Sequence, residues 1–444
     1  MRGISIAIGI GVIFFAFSLL IFSLQHATLI GLVAFLVTLW TNEAIPLGAV
    51  SMLPILLFPI FGILSTHEVT SNYSKSIIFL FLGGFMLAIA IEKIGLHKYF
   101  SSKLLSFFPK TARGIIYALA ITSALLSSIL SNTTITLMLM PIALFLSENI
   151  KLKVHFLLAT AYGASMGGIL TPIGTAPNLI LLGFLEEHKL PILAFGEWMI
   201  LMLPVVGLML LVMPYILSLG VQNECVEDIS HEVSELNASQ KRLAFIIAAL
   251  AVVLVANTFM KQAFGMALDE KLVLLGFGLL MFVPRIGFLE WEDTRSMPYE
   301  IIFLFGAGFS IAAAFSNTGL AAEIATKLSF ISTLPLFWMF LIVALFVTFS
   351  TEVTSNTALT SIAIPIFYEF AKTMPENEGA MLLMVATVAA SYAFMLPIAT
   401  PPNAIVMSSR VISIKQMATV GFKLNLIGII VVSFVAYFVW SWML

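Results

Sequence analysis

Apolar runs recur from one end of the chain to the other, separated by short charged or turn-rich breaks. They fall at 4–24, 28–41, 46–64, 76–92, 155–184, 195–219, 242–262, 271–284, 298–316, 380–407 and 418–443. About 20 consecutive apolar residues suffice to cross a bilayer as a helix, so this pattern predicts eleven spans. The first run, Ile4 to Phe22, carries no small-residue cleavage signature and further spans follow it directly, so it reads as the first helix rather than a removed signal. Two more stretches, 114–147 and 329–370, are too long for one crossing, and a polar Ser/Thr/Asn cluster interrupts each near its middle. Both read as re-entrant helical hairpins, since non-helical backbone is tolerated at membrane depth only where protein buries it or a watery cavity receives it.

Composition agrees. Of 444 residues, 60% are hydrophobic and 10% charged, against about 25% charged in an average soluble domain. A soluble enzyme is thereby excluded, and the chain is expected to form one all-α polytopic membrane domain. The net charge of -2 and the lack of a basic block leave nucleic-acid binding without an electrostatic footprint. Cys225 is the single cysteine, and the histidines at 26, 67, 97, 155, 188 and 231 never fall at ligand spacing, so neither a disulfide nor a structural metal is supported. With a cytoplasmic N-terminus, 15 of the 21 Lys and Arg residues lie in cytoplasmic connections; the outer ones hold Lys75, Lys189, Lys261, Lys271, Lys327 and Lys372. That asymmetry supports the orientation and the span count together. The segment 221–241, with Glu224, Glu227, Asp228, Glu232 and Glu235, reads as a solvated cytoplasmic linker.

The two halves of the chain resemble each other. Ile77 to Phe81 (Ile-Ile-Phe-Leu-Phe) recurs at Ile301 to Phe305, and Gly84-Phe85 recurs at Gly308-Phe309, both 224 residues later. Ser131-Asn132-Thr133 recurs at the same offset as Ser355-Asn356-Thr357, each copy followed by a Thr (Thr136, Thr360) and then a Pro-Ile (Pro141, Pro365). Pro172-Ile173-Gly174-Thr175-Ala176-Pro177-Asn178 recurs as Pro397-Ile398-Ala399-Thr400-Pro401-Pro402-Asn403, offset 225. An odd number of predicted crossings separates corresponding elements, so the repeats are expected in opposite orientation. The resulting division is scaffold helices 1–72, a first inverted repeat 73–220 with hairpin 114–147 and broken helix 155–184, the linker 221–241, and a second repeat 242–444 with hairpin 329–370 and broken helix 380–407. Inverted repeats with broken helices at matching positions are the signature of a secondary transporter, with substrate bound near the midplane.

Single Ser-Asn-Thr triplets cap helices anywhere. Duplicated at two hairpin tips, they set hydroxyl and amide groups beside the free N–H groups of a half-helix, whose partly positive end favours an anion. A third triplet, Ser316-Asn317-Thr318, lies at a span end with Glu92-Lys93-Ile94 as its repeat mate, and reads as an ordinary surface cap. The two Pro-rich segments cannot continue a helix, and a simple kink is one reading of them. The other is cation binding by the freed carbonyls around Gly174 and Ala399, beside Asn178 and Asn403. Between Arg113 and Lys151, between His155 and His188, and on either side of Lys372 from Lys327 to Arg410, no Lys, Arg or His occurs. A bound anion would meet no basic side chain from these segments. Because an unpaired charge at mid-membrane costs at least ~2.5 kcal/mol and a helix end contributes typically ~0.3 to 2 kcal/mol, co-bound cations are the simplest compensation. Sodium suits all-oxygen surroundings, and protons remain an alternative at this point. Glu352, near the second tip, has two open roles: holding the hairpin through hydrogen bonds, or coupling.

The pairing of Ser131-Asn132-Thr133 with Thr171 to Asn178, and of Ser355-Asn356-Thr357 with Ala399 to Asn403, closely resembles the divalent anion/sodium symporter family. Trp40-Thr41-Asn42-Glu43-Ala44-Ile45-Pro46 and Met52-Leu53-Pro54 look like that family's early helices. The resemblance covers nearly the whole chain. It implies a homodimer, embedded in lipid, in which scaffold helices hold the interface and a transport domain of two hairpins and two broken helices moves like an elevator. It also implies one sodium at Ser127, Ser131, Asn132 and Gly174 and a second at Thr351, Thr354, Asn356 and Ala399, with position 354 contributing mainly backbone. Substrate carboxylates are implied at Ser131, Asn132, Thr133, Ser355, Asn356 and Thr357, with Thr400 and Pro401 nearby. The leading expectation is sodium-coupled symport of a C4-dicarboxylate such as succinate, malate or fumarate in the plasma (inner) membrane. A sodium-independent dicarboxylate exchanger and a citrate or sulfate carrier are the alternatives within the family. An anion channel would need a continuous hydrated pore without broken helices, and an enzyme would need a catalytic constellation that these motifs lack.

Overall fold

In a computed structural model, which describes residues 2–221, 235–264 and 268–444, every regular element is helical. The first half runs α1 (Arg2–Ser18), α2 (Leu24–Asn42), α3 (Leu47–Ile60), α4 (Thr66–Asn72), α5 (Ser76–Ile94), α6 (Leu96–Ser106), α7 (Ala112–Ser127), α8 (Asn132–Phe145), α9 (Ile150–Leu170), α10 (Ala176–Glu187) and α11 (Phe195–Ser218). The second runs α12 (Ala238–Phe264), α13 (Glu270–Leu280), α14 (Tyr299–Asn317), α15 (Leu320–Lys327), α16 (Leu336–Thr351), α17 (Asn356–Ala371), α18 (Glu376–Ala389), α19 (Pro401–Ser408) and α20 (Ile414–Val435), which continues through a π turn at Ala436–Trp440. Residues 222–234 of the expected linker, Cys225 included, lie outside the described residues.

Both long polar-interrupted stretches are helix pairs: α7 and α8 join through residues 128–131, and α16 and α17 through 352–355. Both Pro-rich segments break a helix, separating α9 from α10 and α18 from α19. Six helices among the described residues are long and apolar enough to cross a membrane, and they coincide with the expected runs at 28–41, 76–92, 195–219, 242–262, 298–316 and 418–443. The expected spans at 4–24, 46–64 and 271–284 are helices of 17, 14 and 11 residues instead. In α3 the reason is local, since Pro59 and the left-handed Gly62 stop the helix while the apolar run continues. Two short arms escaped the apolar pattern, α6 and α15. Each follows a glycine with positive φ, Gly95 (71°) and Gly319 (79°), which lie 224 residues apart like the motifs. The triplet Ser316-Asn317-Thr318 ends α14 rather than starting a helix; the Thr318 hydroxyl donates back to the Ala314 carbonyl at 2.7 Å.

The centre of the molecule is α9, buried along nearly its whole length, as expected of a helix apolar all round. Gly163 and Gly167 let it lie directly on the backbone of α7 at Ala120 and Ala124, the small-residue contact typical of membrane helices. Alanine at 167 would drive its Cβ into the Ala124 carbonyl. We expect Gly167→Ala to destabilise the protein by about 1–3 kcal/mol through overpacking, read as a lowered Tm of the detergent-solubilised protein; an unchanged Tm would disprove the close contact. Buried tryptophans tie the remaining pieces to this centre, Trp198 donating to the Ile169 carbonyl at 3.0 Å and Trp440 to the Leu201 carbonyl at 2.7 Å. The Tyr162 hydroxyl of α9 donates to the Phe394 carbonyl at 2.8 Å, joining the first half of the chain to the break in the second.

Candidate functional site

Each tip is built the same way. At the first, the Ser127 hydroxyl at the end of α7 donates to Asn132 Oδ1 at 2.5 Å; at the second, the Thr351 hydroxyl stands 2.5 Å from Asn356 Oδ1 and 2.9 Å from the Ala390 carbonyl. These bonds fix both asparagines with their amide oxygens turned inward, where Ser127 and Thr351 are fully buried. Ser131 caps α8, accepting the Thr134 N–H at 3.1 Å. The amides of Asn132 and Thr133 therefore lack an intrahelical partner. Ser355 occupies the matching position on α17 but caps nothing with its side chain, which leaves that first turn still more open. The breaks differ, because Pro177, Pro401 and Pro402 have no N–H; α10 and α19 supply their helix dipoles but fewer donors.

The starts of all four helices meet around one open cavity of about 1120 Å³. Its lining includes Ser131, Asn132, Thr133, Ser355, Asn356, Thr357, Gly174, Ala399, Thr400 and Pro401. Ser127 and Thr351 lie just behind the wall, and the Thr354 hydroxyl bonds back to the Ser350 carbonyl at 2.8 Å, so only its backbone is directed elsewhere. Among the described residues no Lys, Arg or His lines the cavity; its charged residues are Glu43 and Glu300, both exposed. The favourable partners for negative charge entering here are amides, hydroxyls and helix ends.

Three features of the site were not readable from sequence. Asn178 and Asn403 brace the two breaks: Asn178 Nδ2 donates to the Gly168 and Thr171 carbonyls at 3.0 and 2.8 Å, and Asn403 Nδ2 to those of Ala393 and Leu396 at 2.9 and 3.0 Å. Glu352 faces away from the cavity. Its buried carboxylate accepts the Met395 and Leu396 N–H groups at 2.8 and 3.0 Å and Asn425 Nδ2 at 2.6 Å, holding the second break against α16 and α20. These bonds are the ones the holding role calls for. The third feature is Gly168, where an added Cβ would stand 3.0 Å from both Asn132 Oδ1 and the Gly174 carbonyl oxygen and 3.2 Å from Asn132 Nδ2. A hairpin tip and a helix break thus close tightly on the backbone of α9 at a point where a side chain would push both aside. If Asn132 and Gly174 belong to a sodium site, as the family resemblance implies, Gly168→Ala is expected to raise half-saturating sodium about tenfold, equivalent to ~1.4 kcal/mol, with little change in the limiting rate; an unchanged sodium dependence would exclude these two residues from a cation site.

Broken helices and paired helix tips converging on one cavity inside an apolar helical body fit a membrane transporter. The family model described as citrate transporter (CitMHS) matches residues 33–389, and the chain belongs to that family. It is an integral membrane transporter and not an enzyme, as the sequence led one to expect, and its likeness to the divalent anion/sodium symporters extends over the chain. The chain is 32% identical to the sodium-dependent dicarboxylate transporter SdcS of Staphylococcus saprophyticus, over 97% of this chain and 90% of that protein. It is 30% identical, with the same coverage, to the protein of that name in Staphylococcus aureus. Among solved structures, the YdaH transporter of Alcanivorax borkumensis shares the fold, with a TM-score of 0.55 over 84% of this chain and 87% of that one at 13% identity.

Proposed function

We propose that this protein couples sodium to the import of a C4-dicarboxylate such as succinate, malate or fumarate. One observation carries this reading: the cavity offers a dianion the open starts of α8 and α17 with their hydroxyl and amide groups but, among the described residues, no basic side chain, while two glutamates stand at its wall. Helix ends contribute typically ~0.3 to 2 kcal/mol each, too little to hold two desolvated negative charges, so cations must bind with the substrate. Sequence similarity to transporters named as sodium-dependent dicarboxylate carriers supports the same choice. One sodium is assigned to Ser127, Ser131, Asn132 and Gly174, the second to Thr351, Thr354, Asn356 and Ala399. Substrate carboxylates are assigned to the amides and hydroxyls of Ser131 to Thr133 and Ser355 to Thr357, with Thr400 and Pro401 nearby.

In this reading the repeats are inverted, the N-terminus is cytoplasmic and the chain pairs as a homodimer through its scaffold helices. The cavity wall holds Thr41, Asn42, Glu43, Ile45, Pro46, Leu47 and Glu300, which then lie at the cytoplasmic end, so the conformation described here faces inward. An elevator-like displacement of α7–α10 and α16–α19 against the scaffold would carry the tips to the outer face. Uptake of labelled succinate into proteoliposomes, with and without an inward sodium gradient, tests the proposal. Gradient-driven accumulation is expected, and citrate as competitor gauges how large a substrate the cavity takes. Sodium-independent uptake driven only by internal dicarboxylate would replace symport by exchange.

A further inference from the structure

The chain passes from α5 into the first hairpin through the short arm α6, and from α14 toward the second hairpin through α15. In the orientation proposed above, α6 lies at the cytoplasmic end and α15 at the outer one. Both follow a left-handed glycine, Gly95 or Gly319, 224 residues apart, so they hold equivalent places and their chemistry compares position for position. From 96 to 113 the chain carries Lys98, Lys103, Lys110 and Arg113 and no acidic residue; from 320 to 337 it carries Glu323 and Lys327 alone, a net charge of +4 against 0 with histidine neutral. Glu323 is moreover engaged by His26 at 2.6 Å and by Lys327 at 3.7 Å. Lys98 and Lys103 are exposed, and neither is in an ion pair among the described residues.

Helix α6 turns Leu96, His97 and Ser101 into the body of the protein. On a helix of about 3.6 residues per turn, Phe100 and Phe107 share one flank of the remaining surface, Lys98, Ser102 and Ser106 the other, and Lys103 lies between. Both rings are open, Phe100 at 40% and Phe107 at 69%. The Lys103 ammonium sits 5.9 Å from the centre of the Phe107 ring, and the exposed Arg113 guanidinium 5.0 Å from that of Tyr215. Open aromatic rings beside cations without acidic partners suit a helix lying in the plane of a membrane surface, where rings enter the acyl boundary and ammonium groups reach the headgroups. The equivalent arm α15 contains no aromatic residue.

We infer that α6 and the turn after it form a docking surface for anionic phospholipid headgroups in the leaflet they meet, whereas α15 is indifferent to lipid charge. Headgroup phosphates supply the acidic partners that the described residues do not give Lys98 and Lys103, and the attraction is screened by salt as for any basic segment at a membrane surface. Because α6 is the covalent path from α5 into the first hairpin, its hold on the membrane surface fixes the pivot about which that hairpin is displaced. Anionic lipid should therefore raise turnover. That consequence rests on the elevator reading; the docking itself does not.

The test uses the full-length chain with Cys225→Ser and a fluorophore on Ser106→Cys, at the exposed end of α6, or separately on Thr326→Cys, at the exposed end of α15. Each protein is placed in phosphatidylcholine vesicles containing the same mole fraction of a quencher-bearing lipid, either phosphatidylglycerol or phosphatidylcholine. At position 106, phosphatidylglycerol should quench several-fold more strongly at low salt, and the preference should vanish at high salt and in the Lys98→Gln, Lys103→Gln variant. At 326 the two lipids should quench alike. Equal quenching at 106, or shielding of 106 from both lipids by another protein surface, overturns the docking surface. Uptake of labelled succinate is then compared in vesicles with and without phosphatidylglycerol, where about a threefold gain is expected for the parent chain and none for the double variant. A lipid preference at 106 without a gain in uptake would keep the surface and discard its effect on turnover. No succinate uptake in any lipid would strike the substrate reading and leave the quenching result standing.

Discussion

Replacing Asn132 or Asn356 by alanine is expected to abolish transport, each by two orders of magnitude or more, while the protein still folds. Each side chain connects two parts of the site: its oxygen takes the hydroxyl of Ser127 or Thr351 at 2.5 Å, and its backbone begins the helix whose free amides face the cavity. Removing the amide leaves a buried hydroxyl unpaired at the first tip, which costs ~1–3 kcal/mol, and deletes one oxygen from a proposed cation site. Under the proposed coupling, that loss falls on dicarboxylate binding as well. Little core packing is lost, since both residues line an open cavity rather than filling one. Asn317 supplies the control. It ends α14 far from the cavity lining, and Asn317→Ala should leave uptake within about twofold of normal. Succinate uptake and size-exclusion profiles of the three variants decide the matter. Near-normal uptake by the 132 or 356 variant would sink the site assignment, and a comparable loss at 317 would show that helix capping alone produces the phenotype.

Succinate affinity should rise steeply with sodium, and succinate should raise sodium affinity by the same factor, because the coupling free energy between two ligands is reciprocal. A cavity without basic side chains makes this effect large: each co-bound cation removes most of the penalty of placing a carboxylate there, so tenfold or more in affinity is expected between low and saturating sodium. Ser127→Ala, which loses one oxygen of the first proposed cation site and none that faces the substrate, should move the sodium curve to higher concentration more than it lowers the limiting rate. Uptake should also fall as pH drops through the second carboxyl pKa of the substrate, since the monoanion presents one fewer carboxylate to the two helix starts. Isothermal titration with succinate at several sodium concentrations, choline replacing sodium, reads the linkage directly. Binding that ignores sodium would overturn symport.

Much of the architecture was legible before any coordinates because it is written in local chemistry. Hydrophobic run length located the long helices, the Ser-Asn-Thr clusters located both tips, and prolines without N–H groups located both breaks, since each is decided within a few residues of sequence. Run length failed where an apolar segment is not one helix: α3 and α13 are shorter than their runs, and α6 and α15 are cut off by Gly95 and Gly319, because composition records hydrophobicity and not backbone direction.

The sequence by itself therefore determined that this is a membrane transporter with two like tips and two like breaks. Tertiary structure alone decided how those parts are held. Asn403 and Glu352 act on carbonyls and amides of the same broken segment from two different helices, Gly168 lets a tip and a break close on the backbone of α9, and Lys75 finds Glu187 across 112 positions of sequence. Polar groups in an apolar body must find partners wherever the fold brings them, and neither the spacing nor the type of such residues specifies that partner in advance.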